Sequence, residues 1–479
     1  MNETVATGLR RPRSIDTALT WVAYAVLGSI LCWTRLVGLD RSLWLDEIIT
    51  VENYVREGPR VILAGPYLKN NHELFSMLAW ITSSAAGDSE IALRFWSVAP
   101  FLAGVALVTA WVHMRVGRLA GVLFLFLATG SPLLLDITPT ARGYGLAFLA
   151  MSMVVVGALE ADRSGRRSWI IALFAGGIIG MWTLPNFAVA FFATIAVLLF
   201  NAELRRRVLI GTASSALAAI AWYAPHLDDL AASSGQGVEI GLVGLVTSPI
   251  DHVLVPALLW YDGVVPAEPL VLFPVAVLAL VVMASSPLLG RNRSTAILTS
   301  GAVVTMLVLW YLRLPVVPRF LSYLLVPMFV LAASGAASIL APRTTRPPLV
   351  RAVVVLSAIG VLAYIFTPAV LEISRFPREA NKDAAMLIHA EAPAGARIYP
   401  HMAAPRTLAF YLREPLERAP TQSDVRGICA SPDPVVLVDQ PFRIQRLRVP
   451  CLGRAGVRRY RVEQYARGDE INVWLIAPR

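Results

Sequence analysis

The sequence predicts an α-helical polytopic membrane protein of about eleven transmembrane helices, followed by a small C-terminal α/β extracytoplasmic domain. Three observations predict it: the composition, the recurrence of long apolar segments, and the positions of the arginines between them. Of the 479 residues, 56% are hydrophobic and only 15% are charged, and the mean hydropathy is +0.62. Ordinary soluble domains carry about 25% charged residues, so most of this chain is predicted to lie in a membrane.

Apolar segments of roughly 17–25 residues recur along the chain, and each is long enough to cross a hydrocarbon core. The predicted spans are 19–39, 91–113, 119–137, 142–160, 168–184, 186–202, 207–225, 268–287, 295–313, 319–341 and 350–368. The stretch around 168–202 is too long for one span, and Leu184-Pro185-Asn186 predicts a turn in its middle.

The arginines indicate the orientation, because cytoplasmic loops of membrane proteins are enriched in basic residues. With eleven spans, the arginine-rich loops all fall on one side. Their members are Arg10, Arg11, Arg13, Arg115, Arg118, Arg163, Arg166, Arg167, Arg205, Arg206, Arg207, Arg291, Arg293, Arg343, Arg346 and Arg351. That side is predicted to be cytoplasmic. The formal charge of +10 is thereby explained without a nucleic-acid partner.

Three regions follow from this orientation. Residues 1–18 form a cytoplasmic tail without the features of a signal peptide, and 19–368 form the transmembrane domain, whose long first outer loop covers 40–90. From 369 to 479 hydrophobicity falls, and the pattern predicts a soluble domain with one helix and three strands. The predicted helix is Arg378 to Ala390, and the strands are near 396–399, 434–438 and 471–476.

Other features leave alternatives open. Cys429 and Cys451 can pair if their region faces an oxidising compartment, or remain free. The second outer segment, 226–267, contains His226, Asp228, Asp229, Asp251 and His252. It reads as a solvated or re-entrant loop, as a mobile cover over a site, or less favourably as a metal site, since no known ligand spacing is present.

The first outer loop contains two adjacent carboxylates, Asp46 and Glu47, in an apolar setting just after the first span. A carboxylate near hydrocarbon costs about 3 kcal/mol or less, and neighbouring acids raise each other's proton affinity. Apolar residues at helical spacing predict an interfacial helix around this pair, and a second helix is predicted from Glu73 to about Ser84. The alternative is that the loop is only an amphipathic linker.

Several short elements share this outer side and are similar to those of a known class. They are the Asp46-Glu47 pair, Asn70-Asn71-His72-Glu73-Leu74, Ala92-Leu93-Arg94, Ala141-Arg142-Gly143-Tyr144, and Pro318-Arg319-Phe320-Leu321 with Pro327. Their order and spacing over roughly 35–340 resemble the GT-C class of integral-membrane glycosyltransferases. The resemblance is to the bacterial branch related to protein O-mannosyltransferases and to the lipid A aminoarabinose transferase.

The resemblance implies transfer of a sugar from a polyprenyl-phosphate-linked donor to an acceptor hydroxyl, on the outer face of a bacterial inner membrane. Asp46 is the expected general base, which takes the proton of the attacking hydroxyl, and Glu47 is expected to orient Asp46 or to contact the acceptor. One base without a covalent intermediate predicts inversion at the anomeric carbon. The enzyme would be a hexosyl- or pentosyltransferase.

The leaving phosphate needs cations, and the expected donor-phosphate ligands are Arg142, Arg319, Lys69 and His72. The expected substrate ligands are Asp136, Tyr144, Asn71 and Glu73, although Asp136 is equally well explained as an interfacial carboxylate. No cofactor is expected. A divalent metal held by His72 and Glu73 is possible but not favoured, since neighbouring residues on a helix make poor co-ligands.

The expected partners are the donor lipid, the bilayer and an acceptor that is a glycan, a glycolipid or a protein. The sequence identifies neither the sugar nor the acceptor. Two other functions remain open: a secondary transporter, which would more typically carry inverted repeats and midplane charges, and a non-catalytic lipid-binding assembly protein of the same fold.

Overall fold

The structure is a computed structural model, and it describes five segments in the first 340 residues: 13–68, 71–229, 281–289, 292–312 and 318–340. A few positions between 367 and 373 are also described. The C-terminal part is described over 377–477, apart from 378, 402–404, 417–423, 440–448, 454–455 and 465–469.

The described chain is mostly helical. Its helices up to residue 340 are α1 Arg13–Leu36, α2 Leu45–Thr50, α3 Pro59–Ala64, α4 Glu73–Ala86, α5 Glu90–Arg115, α6 Arg118–Gly130, α7 Pro132–Ile137, α8 Tyr144–Ser164, α9 Arg167–Thr183, α10 Phe187–Leu198, α11 Arg205–Tyr223, α12 Asn292–Tyr311 and α13 Leu325–Leu340. A π-helical turn, Val51–Val55, extends α2, and 3₁₀ turns at Ala224–His226 and Pro318–Leu324 follow α11 and precede α13.

Six helical segments among the described residues are long and apolar enough to cross a membrane. They are Ala18–Leu36, Glu90–Arg115, Tyr144–Ser164, Arg205–Asp229, Arg293–Tyr311 and Arg319–Leu340. Three shorter apolar helices, α6, α9 and α10, accompany them. The predicted spans 268–287 and 350–368 lie largely outside the described residues, so the count of eleven stays a prediction.

Two proline-containing breaks divide the helices. The break predicted at Leu184-Pro185-Asn186 is present, between α9 and α10. The predicted span 119–137 is not one continuous helix, because the chain breaks at Ser131-Pro132 into α6 and α7. The Ser131 hydroxyl accepts the Leu134 N–H as a cap, and proline suits the first helical position because its missing N–H needs no partner there.

Helix α8 is the centre of the bundle, with buried residues on nearly all of its faces. Small residues let its neighbours approach closely, as is usual where helices pack in membranes. A Cβ on Gly145 would lie 1.8 Å from the Ser97 carbonyl oxygen of α5, and one on Gly104 of α5 would lie 3.0 Å from Leu149 Cα. The core therefore fixes α5 against α8, and with them the residues at their N-terminal ends.

The predicted cytoplasmic arginines that the structure describes share one end of the bundle. Arg115, at the end of α5, pairs with Glu160 near the end of α8 at 2.6 Å. Arg293 pairs with Asp162 at 3.3 Å, and Arg207 donates to the Gly165 carbonyl. The opposite end carries the first loop. This grouping agrees with the predicted loop sides, while the assignment of a side to the cytoplasm stays a prediction.

The first loop packs on the bundle through its own apolar cluster. Leu43, Ile48 and Val51 are buried against Phe75 of α4 and Leu93 of α5. Helix α4 confirms the prediction of a helix beginning at Glu73. The predicted interfacial helix is present as α2 and its π-helical extension, and it is buried on one face rather than lying free on the surface.

The C-terminal part contains a four-stranded sheet in the order β1-β2-β4-β3. Its strands are β1 Arg397–His401, β2 Val435–Asp439, β3 Arg458–Glu463 and β4 Glu470–Ile476, and its helices are α14 Asn381–Glu391, α15 Pro405–Leu412 and α16 Asp424–Ala430. Strands β1 and β2 are parallel, and the other pairs are antiparallel. Three strands and α14 coincide with predicted elements, and β3, α15 and α16 are additional. Cys429 and Cys451 form a disulfide.

The C-terminal part holds the first loop directly. The Leu43 N–H donates to the Tyr411 hydroxyl, and the Leu45 N–H donates to Glu379 Oε2 at 3.3 Å. Lys382 donates through its backbone N–H to the Ser42 hydroxyl and through Nζ to the Asp40 carbonyl. The segment that leads into α2 is thus held by residues of the C-terminal part, which come more than 300 positions later in the chain.

Candidate active site

Asp46 lies in the first turn of α2 and faces two arginines from distant parts of the chain. Its Oδ2 is 3.4 Å from Arg142 Nη1 and 3.1 Å from Arg319 Nη2. Arg142 lies just before α8, and Arg319 lies in the 3₁₀ turn before α13. The structure therefore brings together the predicted base and two of the predicted phosphate ligands.

The two arginines retain unused hydrogen-bonding capacity. Arg142 is fully buried, whereas the side chain of Arg319 is 27% exposed. The Nε–H groups of both have no hydrogen-bond partner among the residues that the structure describes. A buried guanidinium N–H without a partner is unfavourable, and a phosphate oxygen would satisfy it. Arg319 also lies over the Trp44 ring, 5.2 Å from its centroid.

Glu47 has a different role from its neighbour, because its carboxylate is completely buried and bonded within the protein. Its Oε1 accepts from Arg94 Nε at 2.9 Å and from the Ala141 N–H. Its Oε2 accepts from Arg94 Nη2 at 2.9 Å and from the Trp44 N–H at 3.0 Å, as in a capping box. The orienting role predicted for Glu47 fits this geometry, and a direct contact with an acceptor does not.

The His72 ring contacts two consecutive residues, Arg142 and Gly143, one through each of its ring nitrogens. Its Nε2 is 3.0 Å from Arg142 Nη2, and its Nδ1 is 2.9 Å from the Gly143 nitrogen. Burial, and then the positive charges of Arg142 and Arg319, hold the pKa of His72 well below its usual value. The ring is therefore neutral and accepts one of the two N–H groups, so His72 is suited to positioning Arg142 and not to binding phosphate as a cation.

Glu73 pairs with a residue of the 3₁₀ turn that follows α11. Glu73 is fully buried, and its Oε1 lies 3.3 Å from Nε2 of His226, which is also buried. Burial raises the pKa of Glu73 to about 8, so its carboxyl group retains its proton near neutral pH. Its predicted contact with substrate stays a prediction. Tyr67 packs on His226, with ring centroids 5.5 Å apart.

The remaining predicted residues occupy varied positions. Asn71 uses its amide inside the loop, donating to the Ile62 carbonyl and accepting from the Ser76 hydroxyl, which favours a structural role over substrate binding. Tyr144 packs edge-to-face on His72, at 5.1 Å between centroids, and Arg142 lies over its ring. Asp136 is buried in α7, next to the turn that carries Arg319. Lys69 lies outside the described residues.

Sequence reasoning missed three buried polar partners near this end of the bundle. Arg94 is recognisable as an outer arginine, but its pairing with Glu47 is not. His226 is recognisable as a loop histidine, but its pairing with Glu73 is not. Arg35 is fully buried in α1 and donates to the Thr138 hydroxyl at 2.9 Å; its local signal is an arginine at the end of an apolar span.

The described residues contain no cluster of three or more histidine, cysteine, aspartate or glutamate side chains that would hold a metal ion. The expectation of a metal-independent site stays a prediction. The geometry at Asp46 combines a carboxylate, two guanidinium groups and a neutral imidazole. Such a set can accept a proton from a hydroxyl and stabilise negative charge on a phosphate.

Comparison with solved structures shows the fold. The chain is similar to ArnT from Cupriavidus metallidurans in the apo state, with a TM-score of 0.55 and 15% identity over 97% of this chain and 100% of that one. The structure of the same protein bound to undecaprenyl phosphate gives a TM-score of 0.54 and 14% identity, over 98% of this chain and 100% of that one. AglB, an archaeal oligosaccharyltransferase from Archaeoglobus fulgidus, gives a TM-score of 0.45 and 13% identity, over 80% of this chain and 59% of that one.

No family model matches the sequence, and no curated protein matches it either. The structural similarity nevertheless extends over nearly the whole chain, and the predicted resemblance to the GT-C glycosyltransferases is confirmed at the level of the fold. The chain is a multi-pass membrane protein with the fold of that class, and ArnT is one protein with a similar fold.

Proposed function

We propose that this protein is a glycosyltransferase that moves a sugar from a polyprenyl-phosphate-linked donor to an acceptor hydroxyl. The observation that carries the proposal is the position of the Asp46 carboxylate, 3.4 Å from Arg142 Nη1 and 3.1 Å from Arg319 Nη2. A base and two phosphate-binding cations are the groups that this reaction needs within reach of one anomeric carbon. The fold supports it, because ArnT is bound to undecaprenyl phosphate in a solved structure.

In this proposal the donor phosphate and Asp46 compete for the same arginines. In the structure, Arg142 and Arg319 are paired with Asp46. A bound phosphate takes up their N–H groups, including the two Nε–H groups that have no partner within the described structure. The Asp46 carboxylate then loses these two ion pairs and can accept the proton of the acceptor hydroxyl. Donor binding thereby prepares the base.

The proposed chemistry is a single displacement. The acceptor oxygen forms a bond to the anomeric carbon as the bond from that carbon to the phosphate oxygen breaks, and Asp46 takes the hydroxyl proton. The polyprenyl phosphate leaves with the bonding electrons, and Arg142 and Arg319 stabilise its charge. One displacement inverts the anomeric configuration. We place the reaction on the outer face of a bacterial inner membrane, following the predicted orientation.

The test separates binding from chemistry in full-length protein reconstituted in nanodiscs. Binding is measured with undecaprenyl phosphate, and transfer with a panel of polyprenyl-phosphate hexoses and pentoses offered to envelope glycans. Asp46→Asn is expected to abolish transfer and to retain undecaprenyl phosphate binding. Arg319→Gln is expected to weaken that binding at least tenfold, since it removes a charged phosphate contact.

The matched control is Arg293→Gln, since Arg293 also pairs with an aspartate, at the other end of the bundle. It is expected to leave both readouts unchanged. Transfer by Asp46→Asn at the wild-type rate would overturn the role of the base. Undecaprenyl phosphate binding without turnover of any donor would indicate an assembly protein, and solute uptake into proteoliposomes without a lipid-linked donor would indicate a transporter.

A further inference from the structure

A second concave surface lies beside the candidate active site, between the first loop and the C-terminal part. This cleft has a volume of about 710 Å³. Glu52 and Arg56, from the end of the first helical stretch of the loop, form one wall. Phe410, Tyr411 and Arg413, from the end of α15, form the other. The mechanism proposed above uses none of these side chains.

The cleft is polar, and its charges are balanced. Four basic and four acidic side chains line it. Several are paired: Arg56 with Asp88 within the first loop, at 3.0 Å, and Arg406 across the cleft with both Glu52 and Asn53. Arg56 also lies over the Phe410 ring, 4.5 Å from its centroid. These pairs hold the walls together and leave an aromatic surface among charged groups of both signs.

Arg413 occupies an unfavourable backbone conformation in this cleft. Its φ of +58° makes it the single residue other than glycine with a positive φ among the described residues. It directly follows α15, where a helix usually ends in glycine or asparagine, since a Cβ is disfavoured in left-handed backbone. The chain thus retains a long cationic side chain at a position where glycine would fit the backbone better. A contact made by that side chain would explain why arginine, and not glycine, occupies this position.

The cleft is connected to the segment that carries Asp46. Tyr411 lines it, and the Tyr411 hydroxyl accepts the N–H of Leu43, three residues before Asp46. Glu52, in the opposite wall, is six residues after Asp46 on the same continuous helical stretch. A ligand in the cleft would therefore contact both sides of the segment that holds the proposed base.

We propose that this cleft binds the uncharged saccharide part of the acceptor, an inference that rests on the proposed function. Sugar hydroxyls donate and accept hydrogen bonds at once, so walls with both acids and bases satisfy them. Aromatic rings with a polar tip, such as Tyr411, offer an apolar face beside hydrogen-bonding groups. A ligand with a net charge of either sign would meet four side chains of its own sign, and a lipid chain would bury the charges without partners.

The experiment uses full-length protein in nanodiscs and an array of neutral and anionic oligosaccharides. Wild-type protein is expected to retain neutral glycans. Arg413→Gly removes the side chain and suits the backbone, so it is expected to raise the melting temperature and to weaken glycan binding at least tenfold. Phe410→Ala is expected to weaken it similarly. Arg458→Ala, on exposed β3, is the matched control and is expected to bind as wild type does.

Three outcomes would overturn the inference. They are no retention of any neutral glycan by the wild type, retention by Arg413→Gly and Phe410→Ala equal to that of the wild type, and preferential retention of anionic glycans by the wild type. Undecaprenyl phosphate binding is measured in the same samples and is expected to be unchanged in every variant. Failure of glycan binding with intact lipid binding and transfer rejects the cleft alone. Failure of lipid binding or of transfer in the wild type rejects the proposed function.

Discussion

Arg94 binds both carboxylate oxygens of Glu47, with Nε 2.9 Å from Oε1 and Nη2 2.9 Å from Oε2. Because Glu47 also accepts the N–H groups of Trp44 and Ala141, this pair connects α5, α2 and the segment before α8. These elements carry Arg94, Asp46 and Arg142. The acidic pair is thus divided: Glu47 fixes the geometry, and Asp46 is left facing Arg142 and Arg319.

The first prediction concerns this buried pair. Glu47→Gln leaves the Arg94 guanidinium buried without a counter-charge, and breaking a buried ion pair costs about 3–5 kcal/mol. Thermal unfolding of the purified protein in detergent should show a large decrease in melting temperature. Asp88→Asn is the control, since the Arg56–Asp88 pair has side chains 44% and 42% exposed; exposed pairs contribute about 1 kcal/mol or less. Equal shifts in the two variants would contradict this assignment of Glu47.

The second prediction concerns Gly143, which leaves room for His72. A Cβ there would lie 2.4 Å from Thr183 Cγ2 and 2.9 Å from His72 Nδ1, so Gly143→Ala must displace the imidazole that contacts Arg142. Undecaprenyl phosphate binding is expected to weaken roughly tenfold, about 1.4 kcal/mol. Thr183→Ser removes one of the two clashes and should partly restore binding in the double variant.

Gly28→Ala is the matched control for Gly143→Ala, because a Cβ on Gly28 meets no atom within 4 Å. In a helix this replacement stabilises by about 0.5–1 kcal/mol, and it should leave lipid binding unchanged. If Gly143→Ala bound the lipid as the wild type does, His72 would not position Arg142.

The third prediction concerns pH. Burial raises the pKa of Glu73 to about 8, while an unfolded glutamate has a pKa of about 4.3. Between these values the folded state keeps a proton that the unfolded state has lost. Stability therefore falls as pH rises, by up to about 1.4 kcal/mol per pH unit. Glu73→Gln removes this dependence, so its melting temperature should exceed that of the wild type increasingly from pH 5 to 8.

Glu57→Gln, which changes an exposed acid of the same loop, is the control for the pH series. Its difference in melting temperature from the wild type should stay constant across the range. A constant difference for Glu73→Gln as well would show that the folded protein does not hold a proton on Glu73.

The fourth prediction concerns the disulfide between Cys429 and Cys451, which are 22 residues apart in sequence. Closing a loop of this length stabilises the folded state by about 3 kcal/mol in the chain-entropy description. A Cys429→Ser, Cys451→Ser double variant should lower the melting temperature, and a reducing agent should have the same effect on the wild type. Cys32→Ser should change neither the melting temperature nor its response to the reducing agent, since Cys32 is a free thiol on the surface. Insensitivity of the wild type to reduction would contradict the prediction.

Local sequence patterns predict much of the fold. Apolar periodicity gives helices such as α4 and α8 within a few residues, and proline gives the break between α9 and α10, because these features act over neighbouring positions. The additional break at Ser131-Pro132 is harder to predict, since α6 and α7 together read as one apolar run. The GT-C resemblance likewise depends on short elements whose order is visible in the sequence.

The sequence by itself predicted that Asp46, Glu47, Arg142 and Arg319 lie at membrane boundaries in apolar surroundings, where charges require partners. Only the tertiary structure decided which partner each one has. Glu47 binds Arg94, Asp46 faces Arg142 and Arg319, and Glu73 meets His226. Each pair joins residues from different helices or loops, so its formation depends on how helices distant in the chain pack together. A local pattern records the need for a partner, and the packing of the bundle selects it.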